Sequence, residues 1–233
     1  VIDKVRNLTP LARRPIDEPS ASSLFSAVPL RQETSYLVIG ERTNANGSRA
    51  FRDSLLSEDW DACEAIARDG VKEGSHAVDV CVDYVGRNGV PDMSELARRF
   101  AERIDAVMVI DSTEPDVIRA GLERLGSRAI INSVNLEDGD GEHTRFHKVL
   151  TLAAEFGAAV VCTCIDEDGH ARPLERKLRA AQTIRELAVH VPGSRRQDLW
   201  LDAVAPPAAT GLEAPRPAPP PPPPGHRPTP YHT

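Results

Sequence analysis

The chain has 233 residues, and its 28 Lys and Arg against 35 Asp and Glu give a formal net charge of −7. That balance argues against the phosphate-neutralising surface a nucleic-acid partner requires. Apolar residues make up 40% and charged residues 27%, the mixture of a globular protein, and no run approaches the roughly 18 apolar residues of a membrane span.

The start, Val1-Ile-Asp-Lys-Val-Arg6, scatters charges where a signal peptide would have an apolar core, so a cytoplasmic location is expected. An initiator Met is missing, so the expectation is a piece cut from a longer chain or an unusual first codon. Residues 1–33 hold four of the twenty prolines and no sustained period, and are expected to be a leader or interdomain linker. From Pro206 twelve more prolines follow in 28 residues, six of them consecutive at 219–224. Such a tail is expected to be extended or disordered.

Between these segments, short β-branched runs alternate with longer amphipathic ones. Strands are expected at Leu37–Ile39, Ala77–Val82, Ala106–Ile110, Ala129–Ile131, Ala158–Cys164 and Leu199–Leu201. Helices are expected near 59–73, 94–104, 145–156 and 173–189, with Gly74 and Gly157 as stop signals. A further helix opens at Thr113, with Asp116 completing a capping-box-like pair and Pro115 in the first turn, and stops before Gly126. Six βα units in a row imply parallel strands with right-handed crossovers, in a doubly wound sheet or a (β/α) barrel.

The strand ends separate these two folds. The apolar runs finish in Glu41 and Asn44, Asp83, Asp111, Asn132 and Asn135, Asp166, and Asp202. Carboxylates and carboxamides at the carboxyl end of every strand suit the active face of a barrel. The turn Gly40-Glu-Arg-Thr-Asn-Ala-Asn-Gly47 has no G-x-G-x-x-G phosphate loop. Cys63, Cys81, Cys162 and Cys164 are scattered and read as buried, inert thiols, although Cys162 and Cys164 share a strand face. His143 and His147 stand four apart without an acidic third ligand, and read as solvated. An acid and amide ring without metal spacing suits a ligand that presents several N–H donors in a plane, as pterins do.

Five stretches carry a family resemblance: Leu37-Val-Ile-Gly-Glu-Arg-Thr-Asn-Ala-Asn-Gly-Ser48, Asp79-Val-Cys-Val-Asp-Tyr-Val-Gly86, Ile110-Asp-Ser-Thr-Glu-Pro115, Ile131-Asn-Ser-Val-Asn-Leu-Glu-Asp-Gly139 and Leu201-Asp202. In this order they resemble the pterin-binding (methyltetrahydrofolate) domain of cobalamin-dependent methionine synthase. The resemblance implies a (β/α)8 TIM barrel that binds 5-methyltetrahydrofolate, whose methyl passes to cob(I)alamin on a separate domain and then to homocysteine on another. By the same resemblance Asp111 and Asn132 hold the pterin ring, Asp202 is a further acceptor, and Asn44 and Ser48 lie in a loop that closes over the ligand. Asn132 would be the catalytic group, hydrogen-bonding where N5 must gain a proton to leave. The competing role for Asp111 is a helix cap.

Only six of eight strands are countable, so the barrel is expected to be incomplete. The domains expected are 1–33 linker, 34–213 partial barrel and 214–233 Pro-rich tail, with a truncated or frameshifted reading frame as the simplest explanation, and the chain alone is expected to be inactive. Alternatives are another corrinoid methyltransferase, a dihydropteroate-synthase-like enzyme, or a non-catalytic folate-binding fragment.

Overall fold

The structure, a computed structural model, describes residues 18–33, 36–170 and 173–204. The proline-rich tail, the proposed boundary at 213 and residues 1–17 of the leader lie outside the described residues.

The described part of the leader is not without structure. β1 (Ser20–Ser22) and β2 (Ala27–Pro29) form an antiparallel hairpin, which the sequence reading missed because three-residue strands carry too few alternations to show a period. Ala21 is buried, and Val28 and Leu30 pack beside it against Val107, Val109, Ile130 and Ala159. The hairpin therefore plugs the amino-terminal end of the main sheet.

That sheet is built from β3 (Ile39–Gly40), β4 (Ala77–Val80), β5 (Val107–Asp111), β6 (Ile130–Leu136), β7 (Ala159–Asp166) and β9 (Leu199–Asp202), all parallel in that order. A two-residue β8 (Gly169–His170) folds back antiparallel on the end of β7. The result is a curled half-barrel of the (β/α) kind with six parallel strands, as expected. Among the described residues, β3 and β9 each pair on one side only.

Helices cover the outer face. They are α1 (Arg49–Leu56), α2 (Trp60–Lys72), α3 (Gly89–Arg103), α4 (Pro115–Leu122), α5 (Arg145–Phe156) and α6 (Leu174–Ala188). Side chains of β4 to β7 alternate cleanly. Val78, Val80, Met108, Ile110, Ile131, Val160 and Cys162 point outward and join Phe51, Leu96, Ile118 and Leu150 of the helices in one core. Each large side chain taken fully from water there stabilises the fold by about 1.5–3 kcal/mol. The opposite phase, Ala77, Val107, Val109, Ile130 and Ala159, faces the barrel axis and the hairpin.

Three local expectations need correction. α1 has no counterpart among the expected helices; Ser48, expected in a loop, starts it, its Oγ accepting from the Phe51 amide at 3.3 Å. α3 begins five residues earlier than expected, because Asn88 caps it by accepting from the Val90 amide at 3.1 Å and Pro91 is tolerated in its first turn. The capping pair of Thr113 and Asp116 does not form. Glu114 is the cap residue without a side-chain bond, while Ser112 Oγ accepts from the Glu114 amide at 3.1 Å and the Thr113 amide donates to Asp83 at 3.1 Å. The predicted stops hold: Gly74 (φ 105°) follows α2, and Gly157 (φ 68°) ends α5 in the left-handed conformation that glycine adopts without strain.

Candidate functional site

The strand-end acids and amides sort into two groups. Asp83, Asn135 and Asp166 serve local structure. Asp83 accepts from Ser112 Oγ at 2.9 and 3.0 Å, Asn135 Oδ1 accepts from the Glu137 amide and Arg145, each at 3.1 Å, and Asp166 is ion-paired with Arg176 of α6. The first of these ties the ends of β4 and β5 together, and the last anchors α6 to β7.

The second group faces the barrel axis. Asp111 ends β5 and is the register partner of Asn132 on β6. Two strands further, Asp202 ends β9 opposite Thr163, two residues beyond the inward-facing Trp200, and its Oδ1 accepts from the Val204 amide at 2.7 Å. A register shift in β6 between Asn132 and Val134 breaks the ladder at this point, the kind of bulge that re-aims a side chain beside a site. Asp111, Asn132 and Asp202 thus share the carboxyl end and the inner phase of the sheet.

Asn44 reaches the same place from the loop after β3. Its Nδ2 donates to Asp79 Oδ2 at 2.8 Å and to Asp111 Oδ2 at 2.9 Å, and its backbone bridges to Cys81. Ser48 does not reach inward with its hydroxyl, which caps α1. The role of Asp111 as a helix cap is not observed; its recorded partner is Asn44.

The residue that sequence reasoning missed is Asp79. It sits within β4 and is 4% exposed, and its Oδ1 is buried with no hydrogen-bond partner, alone in this respect among the described residues. A carboxylate inside an apolar run reads as an interruption. The signal was nevertheless there, since Val78, Val80 and Val82 form one face of period two and leave Ala77, Asp79 and Cys81 on the other.

The electrostatics follow from this crowding. Burial, then the charge of Asp79, push Asp111 up to about 7, against the Asn44 hydrogen bond and with further upward pressure from Asp83 and Glu41. Burial also raises Asp79; Asn44 and the neighbouring Asn132 carboxamide oppose this and Glu41 adds to it. The Asn132 carboxamide therefore stands as a hydrogen-bonding neighbour of Asp79, although no bond of ordinary geometry reaches Oδ1. Cys81, beside the pair and accepting from Asn46 Nδ2 at 3.4 Å, is pushed up to about 12, chiefly by burial, and is an unreactive thiol. Cys162 and Cys164 are buried on the outer face of β7. No group of three His, Cys, Asp or Glu among the described residues is placed to hold a metal, and no described helix is long and apolar enough to cross a membrane.

A parallel half-barrel with inward carboxylates and amides at its strand carboxyl ends has the architecture of TIM-barrel enzymes. The family described as "Pterin binding enzyme" matches residues 40–213, and the chain belongs to it. The chain is 47% identical over 212 residues to a methionine synthase of Mycobacterium tuberculosis (strain ATCC 25618 / H37Rv), a match covering 91% of this chain and 18% of that protein. It is 49% identical over 199 residues to the methionine synthase of Mycobacterium leprae (strain TN), covering 85% and 16%. It therefore spans less than a fifth of the length of these relatives. Among solved structures, the dihydropteroate synthase of Yersinia pestis superposes with a TM-score of 0.54 at 16% identity, over 78% of this chain and 61% of that one. That of Xanthomonas albilineans, in complex with (indole-2-carboxylic acid) and (6-chloroguanine), gives 0.56 at 16% identity, over 79% and 64%. At such identities the likeness is one of fold alone.

Proposed function

We propose that this chain binds the pterin ring of 5-methyltetrahydrofolate as the methyl-donor part of a cytoplasmic methionine synthase. The observation that carries the reading is the orphaned Oδ1 of Asp79. A buried carboxylate oxygen without a donor costs about 1–3 kcal/mol or more, a cost that a bound ligand with N–H groups would offset. Asp111 and Asn132, in register with each other, stand one and two strands away, and the charges that bear on Asp111 come from Asp79, Asp83 and Glu41, all acidic. The site therefore favours a ligand that brings hydrogen-bond donors and a proton. The pterin edge, with its ring N–H and amino group, fits that demand.

In this reading Asp79, Asp111 and Asp202 accept from the heterocycle and Asn132 hydrogen-bonds near N5. The methyl leaves N5 without the bonding electron pair, which stays on nitrogen and calls for a proton there. Cobalamin, the methyl acceptor that the methionine synthase relatives suggest, does not fit the donors present. Carboxylates and carboxamides suit a heterocyclic N–H edge, and none of them is an axial ligand for a corrin. Cobalamin and homocysteine would belong to other domains of a larger protein.

Titration calorimetry of the full chain with 5-methyltetrahydrofolate tests the proposal. Saturable binding is expected, weakened in Asp79→Asn; a wild-type chain that shows no saturable heat would remove it.

A further inference from the structure

Asn44 uses both faces of its carboxamide on the protein itself. Nδ2 gives its two hydrogens to Asp79 and Asp111, while Oδ1 accepts from the amides of Asn46 at 2.9 Å and Gly47 at 3.2 Å. The reverse orientation would set the amide oxygen against two carboxylates, so the network fixes which end is which. The backbone of the residue is held as well, its carbonyl accepting from Gly47 and Ser48 at 3.2 and 2.8 Å. A residue bound this completely has no donor left for a ligand.

A buried acid, Asp79, and a half-buried one, Asp111, from neighbouring strands converge on one nitrogen, and the other groups around them add no positive charge. Glu41 follows β3, Cys81 and Asp83 follow Asp79 from β4 onward, and Asn132 comes from β6. Without Asn44 the two like charges would push each other apart unless one of them took up a proton.

We propose that Asn44 is a positioning residue that acts through Asp79 and Asp111, drawing one oxygen of each toward itself so that the other is presented to the ligand, while it does not touch the ligand. The inference rests on the pterin reading for the identity of that ligand, but not for the arrangement. The same carboxamide closes the turn Asn44–Gly47, so the loop that starts α1 is seated on the acid pair. Ionised acids grip it more strongly than protonated ones, since hydrogen bonds to a charged acceptor are about twice as strong as neutral ones.

Asn44→Ser separates the two jobs, because a serine oxygen still serves the turn while both amide donors disappear. The first measurement follows the Asp111 carboxyl carbon by NMR as a function of pH, on the full chain without ligand. A midpoint near the wild-type value, about 7, is expected to move upward in Asn44→Ser and in the second turn-preserving variant Asn44→Thr. The second measures 5-methyltetrahydrofolate affinity across pH. Here a loss of about tenfold at neutral pH, the equivalent of one weakened hydrogen bond, should grow as pH rises and the acids ionise, and be smaller in an Asp111→Asn background, where only Asp79 remains as a charged partner. An unmoved midpoint overturns the proposal, as does an affinity loss equal at every pH and additive with Asp111→Asn, which would mean direct ligand contact. If the wild-type chain binds no pterin, the functional reading falls, while the ligand-free titration still decides the role of Asn44.

Discussion

Arg128 and Asp198 form an ion pair beneath the barrel, joining the chain two residues before β6 to the residue before β9. The same guanidinium donates to the carbonyl of Ser20 in the hairpin and to that of Gly157 ahead of β7 at 2.9 Å, and the Arg128 amide donates to Ser22 Oγ at 2.9 Å. One side chain thus ties the plug to three strand starts. Asp198 is 7% exposed and has Arg195 as a second partner at 2.8 Å. Arg128→Ala is expected to destabilise the chain by about 3 kcal/mol, since it leaves a buried acid half-paired. Urea unfolding would measure this, and a change below about 1 kcal/mol would reduce the pair to a surface contact.

Asp111→Ala should weaken pterin binding by about 1–3 kcal/mol, because ring donors would face an apolar methyl in place of the half-buried carboxylate. Calorimetry beside the wild type is the check. Unchanged affinity would confine Asp111 to holding the Asn44 loop.

The raised value of Asp111 has a consequence for stability. Its carboxyl binds a proton more tightly in the folded chain, at about 7 against an ordinary 3.8, so the protonated group stabilises the fold. That contribution is complete below the unfolded value and is lost as pH rises through the folded one. Wild type should therefore lose thermal stability relative to Asp111→Asn between about pH 4 and 7 and run parallel to it above. Groups shifted the other way, such as Glu95, held at about 2 by Arg98 and Arg99, act in both proteins and cancel in the difference. A flat difference across this range would show that Asp111 titrates normally.

Asp79→Asn should make the protein more stable at pH 8 while binding ligand less well. The change removes one of two like charges in a buried site and leaves an oxygen for Asn44 to hold. Differential scanning calorimetry with and without ligand would register both effects. Lower stability in the ligand-free form would mean that the carboxylate is needed for folding rather than for binding.

What the sequence determined by itself is the part governed by local periodicity. Alternating β-branched runs, helices of period 3.6 and glycine stops placed all six parallel strands, and α5 at 145–156 agrees residue for residue. The acids and amides at the strand ends pointed to a barrel, and the inward phase of Asp111, Asn132 and Asp202 follows from their place in the runs. Tertiary structure decided what depends on neighbours far along the chain. Asp83 and Asp166 look like Asp111 in sequence, yet Ser112 and Arg176 claim them for local structure, because an acid becomes available to a ligand only when no partner reaches it first. Asp79 shows the converse. A strand-interior acid becomes a candidate site residue once β3 and β5 flank it and Asn44, 35 residues earlier, supplies a donor to only one of its oxygens. The hairpin Ser20–Pro29, too short to show a pattern of its own, exists because the open end of the sheet offers Val107 and Ile130 to cover.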